Sequence, residues 1–344
     1  MLYHIEMIEL KIGYKGDFQR FKYMACRDED SQKIDNVKLT SDIDFEGDTV
    51  EPIQEFYGWI DGNGYCIKNL EIRDEINSEK AAFIINNNGV IKNLTIENAS
   101  VKAEEEASPL VVNNKGKISN CECRDVEVTS GGEAGGFVFD NKKEGEIQNV
   151  YSNSEVESPQ GPSGGIANEN KGLIKKSKFE GSIESSGENI GGIVGFNFDI
   201  IESCSSKNGT IIGSSTIGGI SGYNNGEIKM CDSDLHKDGN RIIGGIAGSN
   251  NGEIIYSYTT GSIEDNLIYR LSEFPIVGLL IGKKRATKTG ELVGYNFGII
   301  KNCYWINGKD ESVGYNIVED GTIIECEEKD DKTEVSAEIA ARKL

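Results

Sequence analysis

Proline is scarce in this chain, with five in 344 residues, so few rigid breaks interrupt it. Basic residues are in deficit: 36 Lys and Arg stand against 57 Asp and Glu, a net charge of −21. That balance disfavours contact with a nucleic-acid backbone or an anionic membrane through the general surface. No apolar run approaches the ~20 residues that a spanning helix needs. The start, MLYHIEMIELKIGYKG, alternates and carries acids, unlike a secretory signal. The expected location is cytoplasmic, or the cell surface if export follows another route. Only two histidines occur, His4 and His236. Phosphate loops and a dinucleotide fingerprint are missing. Apolar residues make up 37%, below the globular average, as expected of a thin core under a large surface. No cofactor or metal is expected.

Helical periodicity is also missing from most of the chain, and a repeat stands in its place. The motif N-x-G-x-I-x-x-(Cys/small) ends at Leu94, Cys121, Val150, Ser177, Cys204, Cys231, Ser257, Cys303 and Cys326, with Leu70 as a degenerate first copy. The spacings are 24, 27, 29, 27, 27, 27, 26, 46 and 23 residues. Each unit holds short alternating runs of Ile, Val, Phe and Tyr cut by Gly, Asn and Ser, which are strand and turn signals. A strand-only unit must bury its apolar face on its neighbours. The expected fold is therefore all-β, a parallel β-solenoid of about ten coils with roughly three strands per coil. Right-handedness follows from the crossover rule.

Stacking turns equivalent residues into ladders. Ile91, Ile118, Ile147, Ile174, Ile201, Ile228, Ile254 and Ile300 are expected inside. So are Ile166, Ile193, Ile220, Ile246 and Leu292. The pairs Gly164-Gly165, Gly191-Gly192, Gly218-Gly219 and Gly244-Gly245 are expected at bends with positive φ. The asparagines from Asn87 to Asn296 are expected at the next corner, in left-handed geometry, with amides bonding from coil to coil.

The pattern G-G-I-V-G-x-N-x-G-x-I-x-x-C resembles the GLUG repeat of bacterial surface proteins and of the region beside the protease domain in immunoglobulin-A-cleaving metalloproteases. The opening stretch, Leu39 to Phe45 and Tyr57 to Leu70, is similar to the segment that begins such solenoids. The resemblance covers roughly residues 36–326 and implies an adhesion-like binding scaffold. His4-Ile-Glu-Met-Ile lacks the second histidine of a zinc-protease helix, so the neighbouring protease is not expected here.

Residues 1–35 read as an N-terminal cap whose Lys15–Asp30 stretch suits a short helix with Phe18, Phe21, Met24 and Ala25 on one face. Residues 36–326 read as the solenoid, and 327–344 as a charged tail or cap. Asp61-Gly-Asn-Gly64 reads as a turn. Five of eight cysteines sit on the ladder as small buried hydrophobes. Cys204 and Cys231, on adjacent coils, have side chains too parallel for a good disulfide.

Two places suggest binding. An insertion within 264–289 is the most apolar part of the chain and carries Arg270, Lys283, Lys284 and Arg285, either as a flap on the rod or as a partner loop. Between the Gly and Asn corners lie Phe139, Phe196, Tyr223, Tyr295 and Tyr315, interrupted by Glu169 and Ser249. They form an aromatic strip if they face out, though inward or half-buried placement is favoured. Glu227 and Glu253 are expected on adjacent coils, near the carboxylate separation of a retaining glycosidase. The leading expectation is a non-enzymatic binding protein for a glycan or protein partner. An acidic rod that mimics nucleic-acid charge in a basic cleft comes second, and a carbohydrate-active enzyme third.

Overall fold

Runs of two to four apolar residues broken by Gly, Asn and Ser are too short for one broad sheet, so the chain turns at each break. The computed structural model describes residues 9–25, 36–73, 78–239, 241–265, 288–290, 292–305, 322–324 and 326–328. It is a parallel β-solenoid of about nine turns with a period near 27 residues. Among the described residues four sheets rather than three run along it, because the Gly-pair corner gives a short strand of its own, as at Ser163–Gly164. The first sheet has twelve strands, from Glu9–Ile12 to Thr322–Ile324. The second holds long bent strands such as Glu122–Ser130, which later coils split in two, as at Lys178–Phe179 and Ser182–Ser185. The third has eight strands, from Lys80–Ala81 to Lys288–Gly290, and the fourth nine, from Ile53–Phe56 to Val293–Asn296. The count falls short of ten coils because the Cys326 copy adds described strands only to the first and second sheets.

The bore is filled as the ladders require. Ile91, Ile118, Ile147, Ile174, Ile201, Ile228, Ile254 and Ile300 are each at most 1% exposed, and Ile166, Ile193, Ile220, Ile246 and Leu292 are fully buried. Cys121, Cys204, Cys231 and Cys303 lie buried as free thiols. Burial and the adjoining Cys204 push the Cys231 thiol well up, so it behaves as an inert hydrophobe.

Two corner expectations are corrected. The interior asparagines are strand residues, ending strands such as Val194–Asn197 and Ser221–Asn224. They are absent from the positive-φ residues. The left-handed corner is instead the residue before the Cys/Leu position. Asn69, Asn93, Asn120, Asn149, Lys176, Ser203, Met230, Tyr256 and Asn302 all have φ between 50° and 56°. The Gly pairs are not left-handed either, since among the described glycines only Gly47 and Gly64 have positive φ. They are required by close approach: a Cβ on Gly191 would lie 2.0 Å from the Val194 carbonyl oxygen, and one on Gly218 1.9 Å from that of Ser221. The predicted Asp61–Gly64 turn is present, with the Asn63 N–H donating to Asp61 Oδ1 at 2.9 Å.

The first coil has an open end that a helix covers. Helix α1 (Lys15–Ala25) places Phe18 against Phe83 with ring centroids 5.1 Å apart, and Phe21 against Phe56 at 6.3 Å. Lys15 bonds Glu46 and Asp48, and Lys22 bonds Glu51, tying the helix to the coil beneath. This hides edge and core that would otherwise invite end-to-end pairing.

Candidate functional site

Alternation along a strand puts every second residue outside. On the fourth sheet the register aligns Asn86, Asn113, Asp140, Glu169, Phe196, Tyr223, Ser249 and Tyr295 in one outward ladder. All are partly exposed. Phe196, Tyr223 and Tyr295 thus belong to one outer row, half-buried by their neighbours. Phe139 does not. Asp140 holds the ladder place, and Phe139, one residue earlier, is 4% exposed in a small cluster with Ala82, Ile85 and Val112. The two-residue expansion of that coil hid the offset in the sequence. Tyr315 lies outside the described residues, as do Arg270, Lys283, Lys284 and Arg285.

The row has company that the sequence pattern did not reveal. Phe198 is 40% exposed and Ile200 37%. Phe198 lies parallel to Phe196, with centroids 6.0 Å apart and planes at 19°. Tyr223 meets Phe196 edge-on at 6.0 Å and Phe198 at 6.5 Å. Tyr295 and Phe297 form a second pair at 4.7 Å. The available signal was the residue between Asn and Gly in the motif, which is Phe in Asn197-Phe198-Asp199 and Asn296-Phe297-Gly298.

Polar groups flank the rings. Lys171 Nζ bonds Glu169 at 2.5 Å and lies 5.9 Å from the Phe198 centroid. Asn251 Nδ2 donates to the Tyr223 hydroxyl at 2.7 Å. An apolar plate edged by an ammonium, an amide and a hydroxyl can stack a flat partly apolar ligand and bond its rim.

Two other arrangements were expected to matter. Glu227 and Glu253 are register partners as anticipated. The bend of the second sheet forms a polar hollow of about 530 Å³ lined by Asp125, Glu127, Asn153, Glu155, Glu180 and Asn208, whose side chains largely bond one another, as Asn208 Nδ2 does to Glu180 Oε1 at 2.7 Å. Among the described residues no group of three or more His, Cys, Asp or Glu is arranged to hold a metal ion.

With the coil geometry established, residues 186–212 match the family model of the GLUG motif. The chain carries the GLUG repeat. The matched residues are the coil that holds Phe196 and Phe198. Halomucin of Haloquadratum walsbyi is 36% identical over 92 residues, covering 24% of this chain and 1% of halomucin. The GLUG chain therefore spans a very small part of that relative's length. A solved structure from Bacteroides ovatus, named for a proposed immunoglobulin A1 protease, aligns with 96% of this chain and 87% of its own, at 18% identity and a TM-score of 0.48.

Proposed function

We propose that this GLUG solenoid is a binding rod that presents the Phe196–Phe198–Tyr223 plate to a glycan, without catalysis of its own. The single observation carrying this reading is the exposed Phe198 stacked on Phe196 and edged by Lys171 and Asn251. Every other outward place of that ladder before Phe196 is an amide or an acid, so the plate is a local departure from a polar surface. Large exposed apolar groups rimmed by polar ones mark interaction sites. Aromatic faces suit the apolar face of a sugar ring, and the neighbouring amide and ammonium suit its hydroxyls.

The charge-mimic reading finds less support. It needs acids in long lines. The register stacks Glu127 on Glu155 and Glu157 on Glu184, but Ser100, Ser182, Thr129 and Ile212 bound those pairs.

A glycan array tests the reading. The expected result is retention of a defined set of oligosaccharides by the intact chain. Phe198→Ala should reduce that retention about five- to thirtyfold, because covering the ring with a sugar contributes ~1–2 kcal/mol. Binding unaffected by both Phe198→Ala and Tyr223→Ala would overturn it.

A further inference from the structure

The outer faces of the third and fourth sheets meet in a wedge. Its floor changes along the rod. Val112 and Phe139 fill it with apolar side chains. At the next coil the register puts Asn168 in the place of Phe139. Asn168 is 2% exposed. Its Nδ2 donates to Glu133 Oε2 at 2.8 Å, while its Oδ1 has no hydrogen-bond partner. A buried amide oxygen without a donor is costly and uncommon.

Glu133 itself stands out among its neighbours. Lys80 pairs with Glu106 at 2.6 Å, Lys142 with Asp140, and Lys171 with Glu169 at 2.5 Å. Glu133 has no ion-pair partner among the described residues. Burial raises its pKa, the hydrogen bond from Asn168 opposes this, and the charges of Asp140, Glu106 and Glu169 leave it raised on balance. The wedge thus holds four carboxylates and three ammonium groups, and the unneutralised carboxylate adjoins the orphan amide. With Nδ2 held by Glu133 Oε2, the Asn168 Oδ1 and the remaining lone pairs of the Glu133 carboxylate are acceptors still to be matched. A primary ammonium is the matching group, with three donors and no acceptor.

We propose that Glu133 and Asn168 form a seat for the ammonium group of an amino sugar. The choice of a sugar over a lysine side chain rests on the glycan reading above. Asp140 and Phe196 are two coils apart on one ladder, roughly 10 Å by strand spacing, so one oligosaccharide can reach both the seat and the aromatic plate. The turn carrying Gly161 lies directly on the Glu133 chain, where a Cβ on Gly161 would be 2.1 Å from Glu133 Cγ. That turn sets which ammonium groups fit.

The test uses the full chain, a glucosamine trimer and its N-acetylated counterpart, with calorimetry and carboxyl-carbon NMR of Glu133. At neutral pH the trimer with free amines is expected to bind about tenfold tighter. Glu133→Gln should erase that preference while leaving the binding of the N-acetylated trimer unchanged. Glucosamine alone should lower the pKa of Glu133, and affinity should fall as acid protonates it. Equal affinity for the two trimers, with binding still weakened about five- to thirtyfold in Phe198→Ala, would remove the seat and leave the glycan reading intact. Failure of both trimers to bind, with no response of Glu133 to glucosamine, would remove the seat. A Glu133 response to N-acetyl-lysine methylamide but not to the glucosamine trimer would also contradict the assignment.

Discussion

Asn197 donates its side-chain Nδ2 to the Oδ1 of Asn224 at 2.8 Å, inside the rod. The same bond runs from Asn87 through Asn114, Asn141, Asn170, Asn197, Asn224 and Asn250 to Asn296 at 2.7–2.8 Å. Every amide points the same way, so each bond polarises the next. Asn197→Leu would leave one Asn170 Nδ2 proton and the Asn224 Oδ1 acceptor buried and unpaired, while Asn170 keeps its bond to the Ile200 carbonyl. The expected loss is about 3 kcal/mol, read from denaturant unfolding.

The Gly pairs make a second, sterically different demand. A Cβ on Gly192 would lie 2.2 Å from the Gly219 carbonyl oxygen and 2.6 Å from Leu235 Cδ1. Backbone cannot yield there without shifting two coils. Gly192→Ala should cost about 3 kcal/mol or more, whereas Gly64→Ala, at φ +81 with open space around it, should cost about 1–2 kcal/mol from left-handed strain alone. Thermal unfolding of the two variants compares them directly.

Left-handed corners held by side chains that dislike them offer room for improvement. Met230 has φ 53 where earlier coils place Asn, as at Asn120 and Asn149. Met230→Asn should raise stability by up to about 1 kcal/mol, visible as a higher unfolding midpoint.

Acid should weaken the rod through the paired carboxylates. Glu146 accepts from Lys175 at 3.0 Å and Lys117 at 3.2 Å, and these bonds hold its pKa below the usual value. A lowered folded pKa means that its contribution is present above the unfolded value of about 4.3 and is lost as pH falls through the folded one. Glu146→Gln should therefore destabilise by up to ~1 kcal/mol at neutral pH and have no effect once both proteins are acidified below that pKa. Unfolding midpoints across pH for both proteins decide this.

The bore was legible in the sequence because it repeats: Ile201, Ile228 and Ile254 fall in register by counting alone. The corners were harder. Counting places Gly191-Gly192 at a bend but cannot separate a need for positive φ from a need for close backbone approach, since glycine serves both. The left-handed corner was hidden because Lys176, Ser203, Met230 and Tyr256 occupy it alongside Asn, and only the stacked geometry forces them there. Four sheets replaced three for the same reason, as Ser163–Gly164 is too short a strand to show periodicity. Phe198 was hidden because most coils fill its place with Lys or Asn.

The most direct measurement is amide and aromatic chemical-shift mapping of the intact chain titrated with an oligosaccharide that it retains. The account predicts shifts concentrated at Phe196, Phe198, Tyr223, Lys171 and Asn251, absent in Phe198→Ala at the same ligand concentration. Shifts centred on the second-sheet hollow around Asn153 and Glu180, with the aromatic plate silent, would contradict it.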